Sequence, residues 1–347
     1  MVDNNITSHK YITRLTEKIT PSMRYDFKKD FSLWQKEARS ELEKLLGLPL
    51  VKPENDCFKI KETKEKNGLT FIKFSFESEK DYTVECCLVK KTNINKKAPL
   101  VICLQGHSTG MHISIGEEIF EGDKMSIAGG RDFAIQAANE GLVAVAIEQR
   151  YMGVKGYEYP KGRPACIAAS EDSDANQAIS SLLVGRIPIG ERVWDVKCTI
   201  DAVLEHFADL INEKQIMCMG HSGGGTATYY SACIDDRITI AVPSCGVCSY
   251  DDSIIAMNHC ICNYIPNIRK YFDMGDLSGM ISPRKLVVVC GIEDKGFPIK
   301  GVKKSYALTE KLYEHSGCRE NCTLVEGNGG HKFYPDDAWP VIRRYLD

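Results

Sequence analysis

Six short, unbroken aliphatic runs punctuate the chain between residues 99 and 325, at 100–104, 142–147, 216–219, 238–242, 286–290 and 323–325. Their apolarity is continuous rather than alternating, so each run must be covered on both faces. Long segments with helical periodicity separate them. Buried strands alternating with helices specify a mostly parallel sheet with helices packed on both sides. The strongest helical pattern spans about 189–213, where Val193, Val196, Ile200, Val203, Leu204, Phe207, Leu210 and Ile211 fall on one stripe. Upstream the pattern differs. Phe31, Trp34, Ala38, Leu42 and Leu45 recur at intervals of three and four, and the series stops at Gly47-Leu48-Pro49. Segments 57–64 and 69–77 then flank Asn67-Gly68, a hairpin signal, and 82–90 adds a third strand. The expectation is an α/β domain over 51–347, preceded by a helical extension over 1–50 and interrupted by an insert at about 246–283.

A chain of 347 residues that is 43% hydrophobic and 26% charged can bury a large core without covalent staples. With 44 basic and 47 acidic residues the formal charge is −3. That leaves no field to recruit nucleic acid or an anionic membrane. The aliphatic runs are too short to span a bilayer, and residues 1–18 lack the apolar core of a secretory signal. A cytoplasmic location is therefore expected. The patterns Asn5-Ile6-Thr7 and Asn321-Cys322-Thr323 carry no glycosylation meaning in that setting. The 15 cysteines are odd in number and irregular in spacing, which suits small buried thiols in a reducing compartment.

Chemistry enters at Gly220-His221-Ser222-Gly223-Gly224. The bare G-x-S-x-G pattern is weak, but here it follows the 216–219 run and precedes a helix-compatible stretch at 226–233. That is the strand-turn-helix setting of a nucleophile elbow, where small neighbours are needed because the turn is tight. A serine nucleophile needs a base, and the base needs an orienting acid, in the chain order Ser, Asp or Glu, His. After the 286–290 run comes Gly291-Ile292-Glu293-Asp294, with Asp294 the chosen acid and Glu293 its rival. After the 323–325 run comes a glycine-rich loop ending in His331, the base. The loop Gln105-Gly106-His107-Ser108-Thr109-Gly110 follows the first run and is positioned to supply one backbone donor to an oxyanion hole. His107 is the chosen donor, with Gly106 and Ser108 as register alternatives, and the amide of Gly223 is the second.

At these residues the chain resembles the α/β-hydrolases, over roughly residues 25–347. The Gly106-His107 loop, Glu148-Gln149-Arg150, Gly185-Arg186, Gly190-Glu191-Arg192-Val193-Trp194-Asp195, the elbow and the helix bearing Trp34 are similar to the acetyl xylan esterase and dienelactone hydrolase-like branch. The resemblance implies hydrolysis of short acyl esters, often acetyl groups on carbohydrates, with no metal and no organic cofactor. Dienelactone hydrolases proper use a cysteine nucleophile, whereas position 222 is serine.

Two further sets carry functional residue types. Cys245, Cys248, His259, Cys260 and Cys262 have residue types that hold zinc, but their spacing fixes no geometry, and buried or lid-lining thiols are the favoured reading. Glu148, Arg150, Arg186, Glu191, Arg192 and Asp195 suit either substrate anchoring or, as favoured, an ion-pair network bracing loops. In the insert, Tyr264, Tyr271 and Phe272 are candidate pocket aromatics, though local packing is the commoner fate. The sequence therefore points to a serine esterase acting on a small-molecule ester through an acyl-enzyme. A serine peptidase of the same fold and a catalytically silent binding protein are the alternatives. No nucleic acid or membrane partner is expected, and a homo-oligomer stays open.

Overall fold

A computed structural model describes residues 6–107, 109–153 and 175–346, with the side chains of 175–177 left aside. Nine strands form a single sheet: β1 (Lys59–Lys66), β2 (Leu69–Glu79), β3 (Tyr82–Lys91), β4 (Ala98–Leu104), β5 (Val143–Ile147), β6 (Ile211–His221), β7 (Ile238–Ser244), β8 (Lys285–Gly291) and β9 (Cys322–Gly327). Their order is β1-β2-β3-β5-β4-β6-β7-β8-β9. The first three strands and the β3–β5 junction are antiparallel, and every later pairing is parallel. This is the expected α/β-hydrolase architecture. The Asn67-Gly68 turn has φ of 53° and 75°, the doubly positive conformation of a two-residue hairpin.

Alternation along each central strand feeds two cores. On β4, Leu100, Ile102 and Leu104 join Trp34, Ala38 and Leu42 of the helix Phe31–Leu45, and Ile189, Val193 and Ile200 of the helix Pro188–His206. Val101 and Cys103 point the other way, toward Phe133, Ala137 and Ala138 of the helix Phe133–Asn139 and Ala338, Trp339 and Ile342 of the helix Pro335–Leu346. The helix Phe31–Leu45 is thus built into one face of the sheet. Its Trp34 Nε1 donates to the Met23 carbonyl at 2.8 Å. At the outer edge β1, a run of lysine and glutamate with two apolar-capable positions, is exposed along its whole length.

The predicted helix over 189–213 ends early, at His206, and the strand predicted at 216–219 starts at Ile211. Phe207, Leu210 and Ile211 continue the apolar spacing, but the chain turns after Phe207 and Ile211 pairs with Ala98 on β4. The apolar residues of the turn pack against the same core, so their spacing mimics another helical turn. Predicted strands 57–64 and 323–325 likewise shift to Lys59–Lys66 and Cys322–Gly327, because ladder bonds extend into polar residues that periodicity does not flag.

One glycine inside the helix Pro188–His206 fixes the spacing between layers. A Cβ on Gly190 would lie 1.9 Å from the carbonyl oxygen of Leu46, at the end of the helix Phe31–Leu45. Alanine normally stabilises a helix interior relative to glycine by about 0.5–1 kcal/mol. At Gly190 the sign is expected to reverse, with Gly190→Ala costing roughly 1–3 kcal/mol through overpacking against backbone that cannot yield. Urea unfolding checks this, as a lower midpoint at unchanged slope.

Candidate active site

The sheet changes its direction of winding at β4. The chain passes from β4 outward to β5, then returns to place β6 on the other side of β4. Loops leaving the carboxyl ends of β4 and β6 therefore diverge and open a crevice, where ligands bind in open α/β sheets. The loop at 105–110 leaves β4, and the turn at Ser222 leaves β6.

Ser222 has φ 57° and ψ −121° and caps the helix Gly223–Ile234. A positive φ at a non-glycine residue costs about 1–3 kcal/mol and persists only where its surroundings enforce it. Its amide donates to the Ser244 carbonyl at 2.8 Å, and its carbonyl accepts from Thr226 N at 2.9 Å. The flanking glycines are required sterically. A Cβ on Gly224 would sit 2.3 Å from the Leu104 carbonyl oxygen, and one on Gly220 would sit 2.4 Å from that of Gly224. The half-buried Ser222 is thereby held at the crevice, with Gly106 packed against its Cβ.

Asp294 follows β8 and His331 follows β9. The two loops are stitched together by Ile292 N to the Gly327 carbonyl at 3.0 Å and Glu293 N to the Gly329 carbonyl at 2.8 Å. This brings His331 Nδ1 to 2.7 Å from Asp294 Oδ2. The other carboxylate oxygen accepts from Gly296 N at 2.8 Å and Phe297 N at 3.2 Å. Burial alone would raise the Asp294 carboxyl. The hydrogen bond and charge of His331, with the two amides, outweigh it and hold the group below the usual carboxylate range. Glu293 is exposed, so of the two candidate acids the structure brings Asp294 to the histidine. The His331 ring lies 4.7 Å from that of His221, the residue adjoining Ser222, and parallel to Phe297 at 6.0 Å. His221 itself is fully buried, with Nδ1 3.2 Å from Ser244 Oγ. Burial, then the charges of His331, Arg131 and His107, lower its pKa far enough to keep it neutral.

Cys245, at the end of β7, was outside the sequence-based triad but lies beside it. Its Sγ, the Asp294 carboxylate and a His331 nitrogen fall within 4.8 Å of one another. Burial and the Asp294 charge raise this thiol well above its ordinary pKa, so it stays protonated. His107 is half-buried on the β4 loop, and its ring packs over Gly223. Ser108, a register alternative for the oxyanion donor, lies outside the described residues, as does Asn5 of the first glycosylation pattern.

The five candidate zinc ligands do not converge as one set, although Cys260 and Cys262 lie 3.4 Å apart. Cys248 Sγ faces the Pro298 carbonyl, and His259 bonds to Ser253 Oγ and the Gly296 carbonyl. Cys260 and Cys262 pack instead against Met152. Of the insert aromatics, Phe272 is buried in the main core and Tyr264 donates to the Ile254 carbonyl. The charged set does form an ion-pair network. Arg150 grips Asp195 in a bidentate pair at 2.7 and 2.9 Å, reaches Glu191 at 3.3 Å and Glu79 at 2.8 Å, and stacks on Tyr82. Arg186 joins through Glu191 and Glu79. Glu148 accepts from Met111 N at 3.2 Å, and Arg192 donates to the Arg150 carbonyl at 3.0 Å. A cavity of about 830 Å³ opens beside this network, lined by Lys73, Tyr82, Met111, His112, Glu148, Arg150 and Tyr151, with none of Ser222, Asp294 or His331 in its wall. His112 there bonds to Asp123 at 3.0 Å, a pairing across ten intervening residues that no periodicity signals.

The Abhydrolase family matches residues 3–321. The chain belongs to the Abhydrolase family. The match stops short of His331, which the geometry supplies. An inferred hydrolase of Bacillus subtilis (strain 168), YtaP, is 26% identical over 153 residues, covering 43% of this chain and 50% of that protein, so the similarity spans about half the relative's length. Among solved structures, an inferred acetyl xylan esterase from Bacteroides fragilis NCTC 9343 superposes with a TM-score of 0.78 at 18% identity, covering 99% of this chain and 95% of that one. A glucuronoyl esterase from Solibacter usitatus gives 0.67 at 13% identity, over 95% and 98%. Both likenesses establish the α/β-hydrolase fold. No helix among the described residues is long and apolar enough to cross a membrane.

The Arg150–Asp195 pair lies buried at the centre of the ion-pair network. Asp195 is fully buried, and burial holds its carboxyl above the usual carboxylate range against the opposing charge and hydrogen bonds of Arg150. Arg150→Gln is expected to cost about 3–5 kcal/mol by stranding that carboxylate. Asp195→Asn added to it should recover part of the loss, measured as a double-mutant cycle in chemical denaturation.

Proposed function

We propose that this member of the Abhydrolase family is a serine esterase acting on short acyl, principally acetyl, esters of carbohydrates or similarly compact alcohols. The observation that carries the reading is the 2.7 Å Asp294–His331 hydrogen bond on two loops stitched beside the strained Ser222 elbow. In this reading Ser222 Oγ attacks the ester carbonyl while His331 Nε2 takes its proton. Asp294 fixes the imidazole with its proton on Nδ1 and stabilises the cation that forms. The amides of Gly223 and His107 receive the oxyanion. The alcohol leaves with the proton from His331. Water then cleaves the acyl-enzyme by the reverse path, and the acid and Ser222 are restored. Every role is filled by these residues, so no metal or cofactor is required. The solved neighbours' names, acetyl xylan esterase and glucuronoyl esterase, support carbohydrate esters as the substrate class. A reducing, cytoplasmic setting belongs to the same reading, in keeping with cysteines that are odd in number and irregular in spacing.

Ser222→Ala is expected to lower kcat by about 10⁶ with circular dichroism unchanged, on the scale set by nucleophile removal in subtilisin. Asp294→Asn should cost roughly 10³–10⁴, whereas Glu293→Gln should leave most activity, and a reversal of that pair would transfer the acid role to Glu293.

Acyl length tests the substrate class. A long-chain site gains about 0.8 kcal/mol per buried methylene, so kcat/KM would climb with chain length. A compact site is expected to show a sharp fall beyond about four carbons, since overpacking costs roughly 1–3 kcal/mol. A panel from acetyl to octanoyl esters, with acetylated sugars and peptide amides, decides it, and an optimum at octanoyl would refute the compact site.

A further inference from the structure

The β4 loop and the insert after β7 bring together a donor set that the catalytic reading does not use. His107 Nε2 lies 2.9 Å from Cys262 Sγ, and Cys262 Sγ lies 3.4 Å from Cys260 Sγ. All three donor atoms fall within 4.8 Å of one another, with both cysteines buried and His107 half-buried. Arg192, 1% exposed, donates to Cys262 Sγ at 3.2 Å. Met152 closes the apolar side of the cluster.

We propose that His107, Cys260 and Cys262 form a binding site for a thiophilic d¹⁰ cation, Zn²⁺ in the first instance, and that its occupancy inhibits the enzyme. Two thiolates and an imidazole suit soft or borderline cations, whereas Mg²⁺ and Ca²⁺ require oxygen donors. Zinc bonds of about 2.3 Å to sulfur and about 2.0–2.1 Å to nitrogen place tetrahedral ligands roughly 3.5–3.8 Å apart. The observed spacings of 2.9 and 3.4 Å are shorter than those separations by about 0.6 and 0.4 Å, so side-chain rotations must spread the donors to admit the ion. Binding forms two S–Zn bonds and one N–Zn bond and releases to solvent whatever protons the two thiols hold. No electrons are exchanged. Inhibition follows from position and rests on the esterase reading. A Cβ on Gly223 would lie 2.4 Å from His107 Cε1 and 2.7 Å from Nε2, so the imidazole already covers the peptide that carries the oxyanion amide. A cation fixed on Nε2 locks that cover in place, on the loop that bears the other amide.

The test uses the full chain, kept reduced with a phosphine. Co²⁺ titration is expected to develop a thiolate-to-cobalt charge-transfer band saturating at one equivalent, reversed by Zn²⁺. Zn²⁺ should suppress acetyl ester hydrolysis with the same midpoint, and chelation should restore it. Cys260→Ser and Cys262→Ser, with Cys260→Ala as the alternative if a serine variant misfolds, should each lose the band and weaken zinc binding by at least about tenfold. Absence of the band in the wild type overturns the proposal. So does zinc sensitivity that survives Cys260→Ser and disappears in Cys245→Ser, which would put the ion on Cys245, Asp294 and His331. Cobalt binding through both cysteines in a chain that hydrolyses no ester upholds the metal site and removes the esterase reading alone.

Discussion

Contact between the first turn of the elbow helix and the end of β4 is the constraint on which the site depends. Gly224 lies so near the Leu104 carbonyl that no side chain fits between them. This approach sets the depth of the crevice, forces Ser222 into a conformation that it would not choose, and aligns the Gly223 amide with the β4 loop. The strain is small against the burial of two cores on one sheet, but it is localised where a hydroxyl must project. The fold therefore supplies position, and the residue types at that position supply the chemistry.

A second constraint is electrostatic. Arg150, Asp195, Glu191, Glu79 and Arg186 join the loop after β5 to the end of β2 and to the helix Pro188–His206. Burial of so many charges is tolerated because each carboxylate is met by a guanidinium and the Asp195 oxygens are further satisfied by Ser78 Oγ. Such a network contributes less to net stability than to fixing one arrangement of the loops.

Much of this was legible in the sequence, and for identifiable reasons. The aliphatic runs marked the strands because a strand covered on both faces has no polar alternative. The places of Ser222, Asp294 and His331 after strands are legible through a rule of topology rather than of composition, and the structure brings Asp294 and His331 together. The end of the helix at His206 was hidden because the turn residues that follow it are also buried. The place of Cys245 beside Asp294 and His331, and of the His107 ring beside Cys262, became apparent only in three dimensions, since these residues lie on separate loops that the sheet brings together. The cysteine set looked like one cluster along the chain because its members are close in sequence. The insert folds them to three different walls, and His107, more than 150 residues away, becomes the partner of two.

The lysine and glutamate run of β1 bears on assembly. Its outer edge offers unpaired backbone groups, yet Lys59, Lys61, Lys64 and Lys66 stand along it, interrupted by Glu62 and Glu65, and all are exposed. Adding another chain's strand there would require stripping water from a row of ammonium and carboxylate groups with few counterparts to receive them. The sheet thus resists growth on that side through solvation, which leaves edge-to-edge pairing of copies disfavoured at β1.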